Sequence, residues 1–115
     1  MDVKRVGDVK PWIHGPGVSA RVLMSGRHIM LLLVDMEAGS IIPRHKHPNE
    51  QLGICLKGRA SFKTDAEEFV VEEGMTYRFN PDEEHLVKAL MDSRFIDVFS
   101  PPRNDYLKRQ IRESG

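Results

Sequence analysis

Short apolar runs alternate along the chain with clusters of turn-forming residues, and neither kind of stretch is long. Pro16-Gly17, Ser25-Gly26, Gly39-Ser40, Pro48-Asn49, Lys57-Gly58, Glu73-Gly74, Asn80-Pro81-Asp82 and Pro101-Pro102 punctuate it. Turn signals at roughly 8- to 12-residue intervals are the mark of an all-β sandwich or barrel. The pattern predicts strands near 18–24, 28–36, 41–44, 51–57, 59–63, 67–72, 76–79, 85–90 and 94–99. The clearest alternation puts Phe95, Asp97 and Phe99 on one face and Ile96 and Val98 on the other, because successive strand residues point to opposite sides. Gln51, Gly53 and Cys55 likewise share a face, with Leu52, Ile54 and Leu56 opposite. Both faces of that strand are apolar or small, so one is expected to line a barrel and the other to pack on a neighbouring sheet. Only the tail, Arg103 to Glu113, has helix-forming character, with Tyr106, Leu107 and Ile111 as its apolar stripe. The expected fold class is all-β: one domain over residues 1–115, a barrel core over about 18–100 and a tail over 101–115.

Composition narrows the range of functions. The 17 Lys+Arg balance 17 Asp+Glu, which argues against a general nucleic-acid binder but leaves room for a local charged pocket. The longest apolar run, Ile29 to Val34, is far short of the roughly 20 residues a membrane-spanning helix needs. The first residues carry no hydrophobic signal core, and the lone cysteine, Cys55, has no partner for an internal disulfide. A cytoplasmic location is the resulting expectation, with no membrane and no nucleic acid as partner.

Chemistry enters with the histidines. His45 and His47 are two apart, and on a strand two such imidazoles face the same way. Gln51 follows after the Pro48-Asn49 turn, and His85 opens a later strand. Three imidazoles and an amide oxygen suit a divalent first-row metal. A His-x-His pair on its own is more often a pair of solvated loop residues than a metal site. Asp97 sits in an otherwise apolar strand. It is either a carboxylate facing water or paired with an arginine, or a buried acid or base with a pKa set by its surroundings. Arg103, just past two stiffening prolines, is either a surface charge or a fork for a carboxylate.

The spacing around these residues carries a resemblance. Gly39, His45, His47, Gln51 and Gly58 resemble the first motif of the cupin superfamily, and Gly74 with His85 resembles the second. The resemblance implies a double-stranded β-helix (jelly-roll) barrel with a metal inside one mouth. Three departures stand out. Gln51 replaces the usual Glu, and the neighbouring Glu50 would serve only if the register slipped. Asn80-Pro81-Asp82 stands for Pro-x-Gly, and Ala89 for a final Asn. A neutral Gln leaves the full charge of a divalent ion in place, which favours an anionic substrate.

A narrower resemblance joins Pro43–Gly53 to Phe95–Leu107. Together they look like the pectin-degradation cupins, which convert 4,5-unsaturated uronates to their linear keto form. That resemblance implies metal ligands His45, His47, Gln51 and His85, with Asp97, Phe99 and Arg103 across the pocket. It also implies a small anionic substrate and a homodimer. The ion would be Ni, Zn, Mn, Fe or Co, which these ligand types do not distinguish. Two other classes remain open at this point: a cupin dioxygenase or other enzyme of small carboxylated compounds, and a non-enzymatic ligand-binding barrel.

The other distinctive residues receive structural readings. Cys55 is read as a small buried hydrophobe, and the methionines, including Met24, Met30, Met36 and Met75, as core fillers. His14 and His28 are read as surface residues, and Trp12 as packing over a barrel end or at a dimer contact. The basic tail residues Lys108, Arg109 and Arg112 are read as a solvated helix face.

Overall fold

The computed structural model describes residues 1–114. A short 3-10 turn, Val6–Asp8, precedes β1 (Trp12–Gly15), β2 (Val18–Ser25), β3 (Met30–Met36), β4 (Ile41–His45) and β5 (Glu50–Lys57). Then follow β6 (Arg59–Thr64), β7 (Glu68–Glu72), β8 (Thr76–Phe79), β9 (His85–Ala89), β10 (Ser93–Ser100) and the helix α1 (Asn104–Ser114). Two antiparallel sheets result, ordered β1-β2-β3-β10-β5-β8 and β4-β9-β6-β7. This is the expected all-β jelly roll with a helical tail.

The inner face of the larger sheet is built in rows. Phe95 lies opposite Val34 and Cys55; Asp97 opposite Leu32 and Gly53; Phe99 opposite Met30 and Gln51. These residues alternate inward along β3, β5 and β10, and most are core. Phe62, Val87 and Ala89 of the smaller sheet close over them. One row of this apolar interior therefore carries a carboxylate, and the next carries an amide.

Two connections show how the turn chemistry works. Gly58, between β5 and β6, has φ +91°, and a Cβ there would collide with Ser93 and the Asp92 carbonyl. Only glycine meets both demands. Asp82 stands where the resembled motif carries Gly and adopts φ 61°, a left-handed conformation that Asp tolerates better than most residues.

The structure departs from the sequence pattern in four places. β1 was not predicted; it pairs with β2 through Trp12 and Ala20. Its four residues are too few to show alternation. β4 ends at His45, so His47 lies in the connection to β5 rather than on a strand. The outer face of β5 is not covered by a second sheet: Leu52 is 49% and Leu56 43% exposed. Outer burial is confined instead to a small cluster of Val9, Leu23 and Leu33. Met30 and Met36 are core, but Met75 is exposed, its sulfur accepting from the Glu72 N–H.

Side chains of the helix tie it to the barrel: Arg109 Nη2 donates to the Ile13 carbonyl, and Gln110 reaches β2. At a bulge in β2 between Val22 and Met24, the Val22 N–H donates to Gln110 Oε1 at 2.7 Å, and Gln110 Nε2 donates to the Lys10 carbonyl. Gln110 thus satisfies the Val22 N–H at the bulge and a carbonyl just before β1.

Cys55 is fully buried, its Sγ 3.3 Å from the Lys57 carbonyl, and burial raises the thiol pKa. A thiol-reactive reagent is therefore expected to label the native protein only as fast as it unfolds. Rapid stoichiometric labelling without denaturant would contradict this packing.

Candidate metal centre and pocket

His45 and His85 are direct cross-strand partners on β4 and β9. Their ring centroids are 4.3 Å apart. His47 reaches the same point from the β4–β5 connection, 5.2 Å from His85 by ring centroid. One ligand-capable atom from each of the three rings lies within 4.8 Å of the other two. Two hydrogen bonds pin the loop that carries His47. The Asp82 N–H donates to the His47 carbonyl at 2.8 Å, and Asn49 Nδ2 donates to the Pro101 carbonyl.

The tautomers follow from the partners. Nδ1 of His45 meets the Pro43 carbonyl at 2.8 Å, that of His47 the Asn49 carbonyl at 3.0 Å, and that of His85 the Glu83 carbonyl at 2.8 Å. A carbonyl only accepts, so each Nδ1 must carry the hydrogen and donate. Each neutral ring therefore presents a bare Nε2 lone pair. Burial lowers the pKa of all three, that of His85 to about 4, so the rings are neutral near pH 7.

Gln51, on β5, completes the arrangement. It is buried, whereas the adjacent Glu50 is exposed, so the register does not slip. The Gln51 amide helps hold the Asp97 pKa below where burial alone would put it, the effect of an amide N–H turned towards a carboxylate. The amide oxygen, Oε1, then faces His47 Nε2 at 3.1 Å. Two acceptors at that distance repel unless a cation lies between them. Three bare Nε2 atoms and a neutral amide oxygen thus fit a divalent metal ion. Aromatic rings wall the ligands: Phe79 stacks on His85 at 3.9 Å and Phe99 meets His47 edge-on at 5.4 Å.

Asp97 points inward and is 6% exposed. Of the readings left open by the sequence, a water-facing or arginine-paired carboxylate is excluded. Burial raises its pKa to about 6, partly offset by hydrogen bonds from Tyr77 and Gln51. The Tyr77 hydroxyl donates to Oδ1 at 2.6 Å.

The pocket has two parts. An inner chamber of about 40 Å³ is lined by Gln51, His85, Asp97 and Phe99 among others. It shares His14, Ile42, His45 and Tyr106 with an outer cleft of about 510 Å³. The outer cleft is lined by Arg44, Arg103, Lys108, Arg109 and Arg112, with Asp105 the one acid. The tail cations expected on a solvated face therefore line the mouth. Arg44 is neutralised by Asp65 and Glu84. Arg103 lies at the cleft, not in the chamber. Its Nη2 donates to Asp105 at 2.8 Å, its guanidinium stacks 3.9 Å over Tyr106, and Nη1 is buried with no partner.

The sequence reading missed three residues. His14 is half-buried at the mouth, with Nε2 3.3 Å from the Tyr106 hydroxyl, whereas His28 is exposed as expected. Tyr77 and Tyr106 also line the chamber. The Pro16-Gly17 turn just after His14 was the signal that a strand preceded it.

Comparison with known proteins agrees with this geometry. The family described as Cupin domain matches residues 32–99. Among curated proteins, the chain is 32% identical over 78 residues to the H2HPP isomerase of Bacillus subtilis, covering 66% of this chain and 33% of that protein. It thus spans about a third of that relative. It is 29% identical over 97 residues to the L-ectoine synthase of Wolinella succinogenes, covering 77% and 71%. Among solved structures, KdgF from Halomonas sp. superposes with a TM-score of 0.83 at 23% identity, covering 88% of this chain and 95% of that one. That likeness speaks to the fold.

With Zn²⁺, Ni²⁺ or Co²⁺ about a hundredfold above its Kd, metal-free protein should gain about 2.7 kcal/mol of stability. The thermal midpoint should rise accordingly, and chelator should reverse the rise. His45→Ala, the least buried of the three rings, should remain folded and lose most of the gain. An undiminished metal-induced rise in that variant would count against the centre.

Proposed function

The chain belongs to the cupin family, and from that premise we propose that it is a metal-dependent enzyme that opens 4,5-unsaturated uronates to their linear keto form. The observation that carries the proposal is the buried Asp97, with a pKa near 6, beside a converging His45–His47–His85–Gln51 set. The resemblance of these residues, with Phe99 and Arg103, to the pectin-degradation cupins supplies the substrate class. The H2HPP isomerase relative supports a reaction without net redox change.

The reaction is an isomerisation. The anomeric hydroxyl gives up its proton, the bond from the anomeric carbon to the ring oxygen breaks, and an enol is released. Proton transfer from the enol oxygen to the adjacent alkene carbon gives the ketone. No electrons are gained or lost. A divalent ion held by the three histidines and Gln51 would act as a Lewis acid towards oxygens of the substrate. Asp97 can take and return a proton near neutral pH, because its pKa lies close to the working range. Phe99 offers an apolar surface beside the ring. The chamber opens into the outer cleft through His14, Ile42, His45 and Tyr106, so a ring that reaches Asp97 and Phe99 would direct its carboxylate towards that cleft. There Arg103 would pair with the substrate carboxylate in competition with Asp105.

Metal-loaded protein should accelerate decay of the ultraviolet absorbance of an unsaturated uronate above the spontaneous rate. Asp97→Asn should lower the rate by about 10²- to 10⁴-fold with metal content intact. Arg103→Lys should chiefly raise KM, since lysine lacks the planar fork. A wild-type protein that never exceeds the spontaneous rate, or a fully active Asp97→Asn variant, would sink the proposal. Oxygen uptake by the same sample would point instead to a dioxygenase.

A further inference from the structure

We propose that Tyr77 is a positioning residue for the Asp97 carboxylate and that Gly53 is the gap through which it acts, an inference that rests on the proton-moving role given to Asp97. The three residues form one row across the inner face of the larger sheet. Asp97 on β10 lies opposite Gly53 on β5, and Gly53 lies opposite Tyr77 on β8. Neighbouring strands are about 4.8 Å apart, so Tyr77 and Asp97 are two strand spacings from each other. A side chain on the middle residue would stand between them.

Gly53 removes that obstacle. A Cβ built there would collide with the ring carbons and hydroxyl of Tyr77. Gly53 is not among the residues with positive φ, so its backbone makes no demand for glycine. Space makes it, because the ring lies across Gly53 to deliver its hydroxyl to Asp97 Oδ1 at 2.6 Å. Phe62, Phe79 and Phe95 surround the ring, with centroids 4.5, 5.8 and 6.4 Å away. Among those apolar rings the hydroxyl has one polar partner to serve.

The consequence for Asp97 is orientational. Oδ1 is engaged, so the carboxylate cannot rotate freely about its Cβ–Cγ bond. Its other oxygen stays available to the Gln51 amide and the chamber. A phenylalanine at 77 would preserve the aromatic packing and remove only this tether.

Three variants separate the parts of the proposal. Tyr77→Phe should keep its metal content and its KM within about twofold, while kcat falls by about tenfold or more, the cost of a loosely held reacting group. A purely structural Tyr77 predicts an unchanged kcat, and that result would overturn the proposal. Gly53→Ala should lose stability, and the loss should shrink by roughly half or more in a Tyr77→Ala background, because the colliding ring is gone. Equal losses in both backgrounds would remove the gap from the account. Proton NMR gives a reading that needs no turnover: one slowly exchanging, downfield hydroxyl signal, lost in Tyr77→Phe and shifted in Asp97→Asn. Its absence from the wild type would overturn the tether. A wild type that shows the signal but does not act on uronates would sink the proposed function and leave the tether standing.

Discussion

The carbonyls of Pro43, Asn49 and Glu83 hold the three pocket imidazoles by their Nδ1 atoms, and the chemistry of the pocket depends on that constraint. Because a carbonyl cannot donate, it leaves no choice of tautomer. Three Nε2 lone pairs are gathered in one place, where they could serve a divalent ion together. The rest of the fold serves this convergence. Pairing of β4 with β9 sets His45 opposite His85. The β4–β5 connection, fastened at Asp82 and Pro101, brings His47 to them. The row structure of the larger sheet presents Gln51 from the other side.

Charge is graded along the pocket, although the chain as a whole is neutral. The deep end is apolar, with Phe62, Phe95 and Val34. One carboxylate, Asp97, is buried above it and kept near its titration point by burial. The mouth is basic, with four arginines and a lysine against Asp105, although two acids offset Arg44. An anion approaching this end meets a favourable field well before it reaches the histidines. The inward face of β10 buries the acid, and α1, packed on β1 and β2, carries most of the bases to the mouth.

Features with a short sequence period were legible, and features set by register were not. Alternation along β10 revealed which side Asp97 and Phe99 share, and the motif spacing gathered His45, His47, Gln51 and His85. Gly58, Gly74 and Asp82 fell at turns because their backbone conformations demand particular residues. The pairing of Tyr77 with Asp97 spans three strands and leaves no trace in spacing; Gly53 was visible only as a small inward residue. β1 is too short to show a period, so the sequence pattern leaves His14 on the surface although it lies at the mouth. The expectation that both faces of β5 are covered failed because apolarity alone does not say what covers a face. The tail cations looked like a solvated helix face because their placement against His45 and Tyr106 depends on how α1 docks through Gln110.

His45, His47, His85 and Gln51 together form a candidate site for one divalent ion. X-ray absorption at the metal edge, on protein loaded with a single ion type, tests it most directly. The expected result is one ion per chain, a nitrogen and oxygen inner shell, and outer-shell scattering from three imidazoles. A sulfur ligand, fewer than three imidazoles or substoichiometric metal at saturation would contradict it.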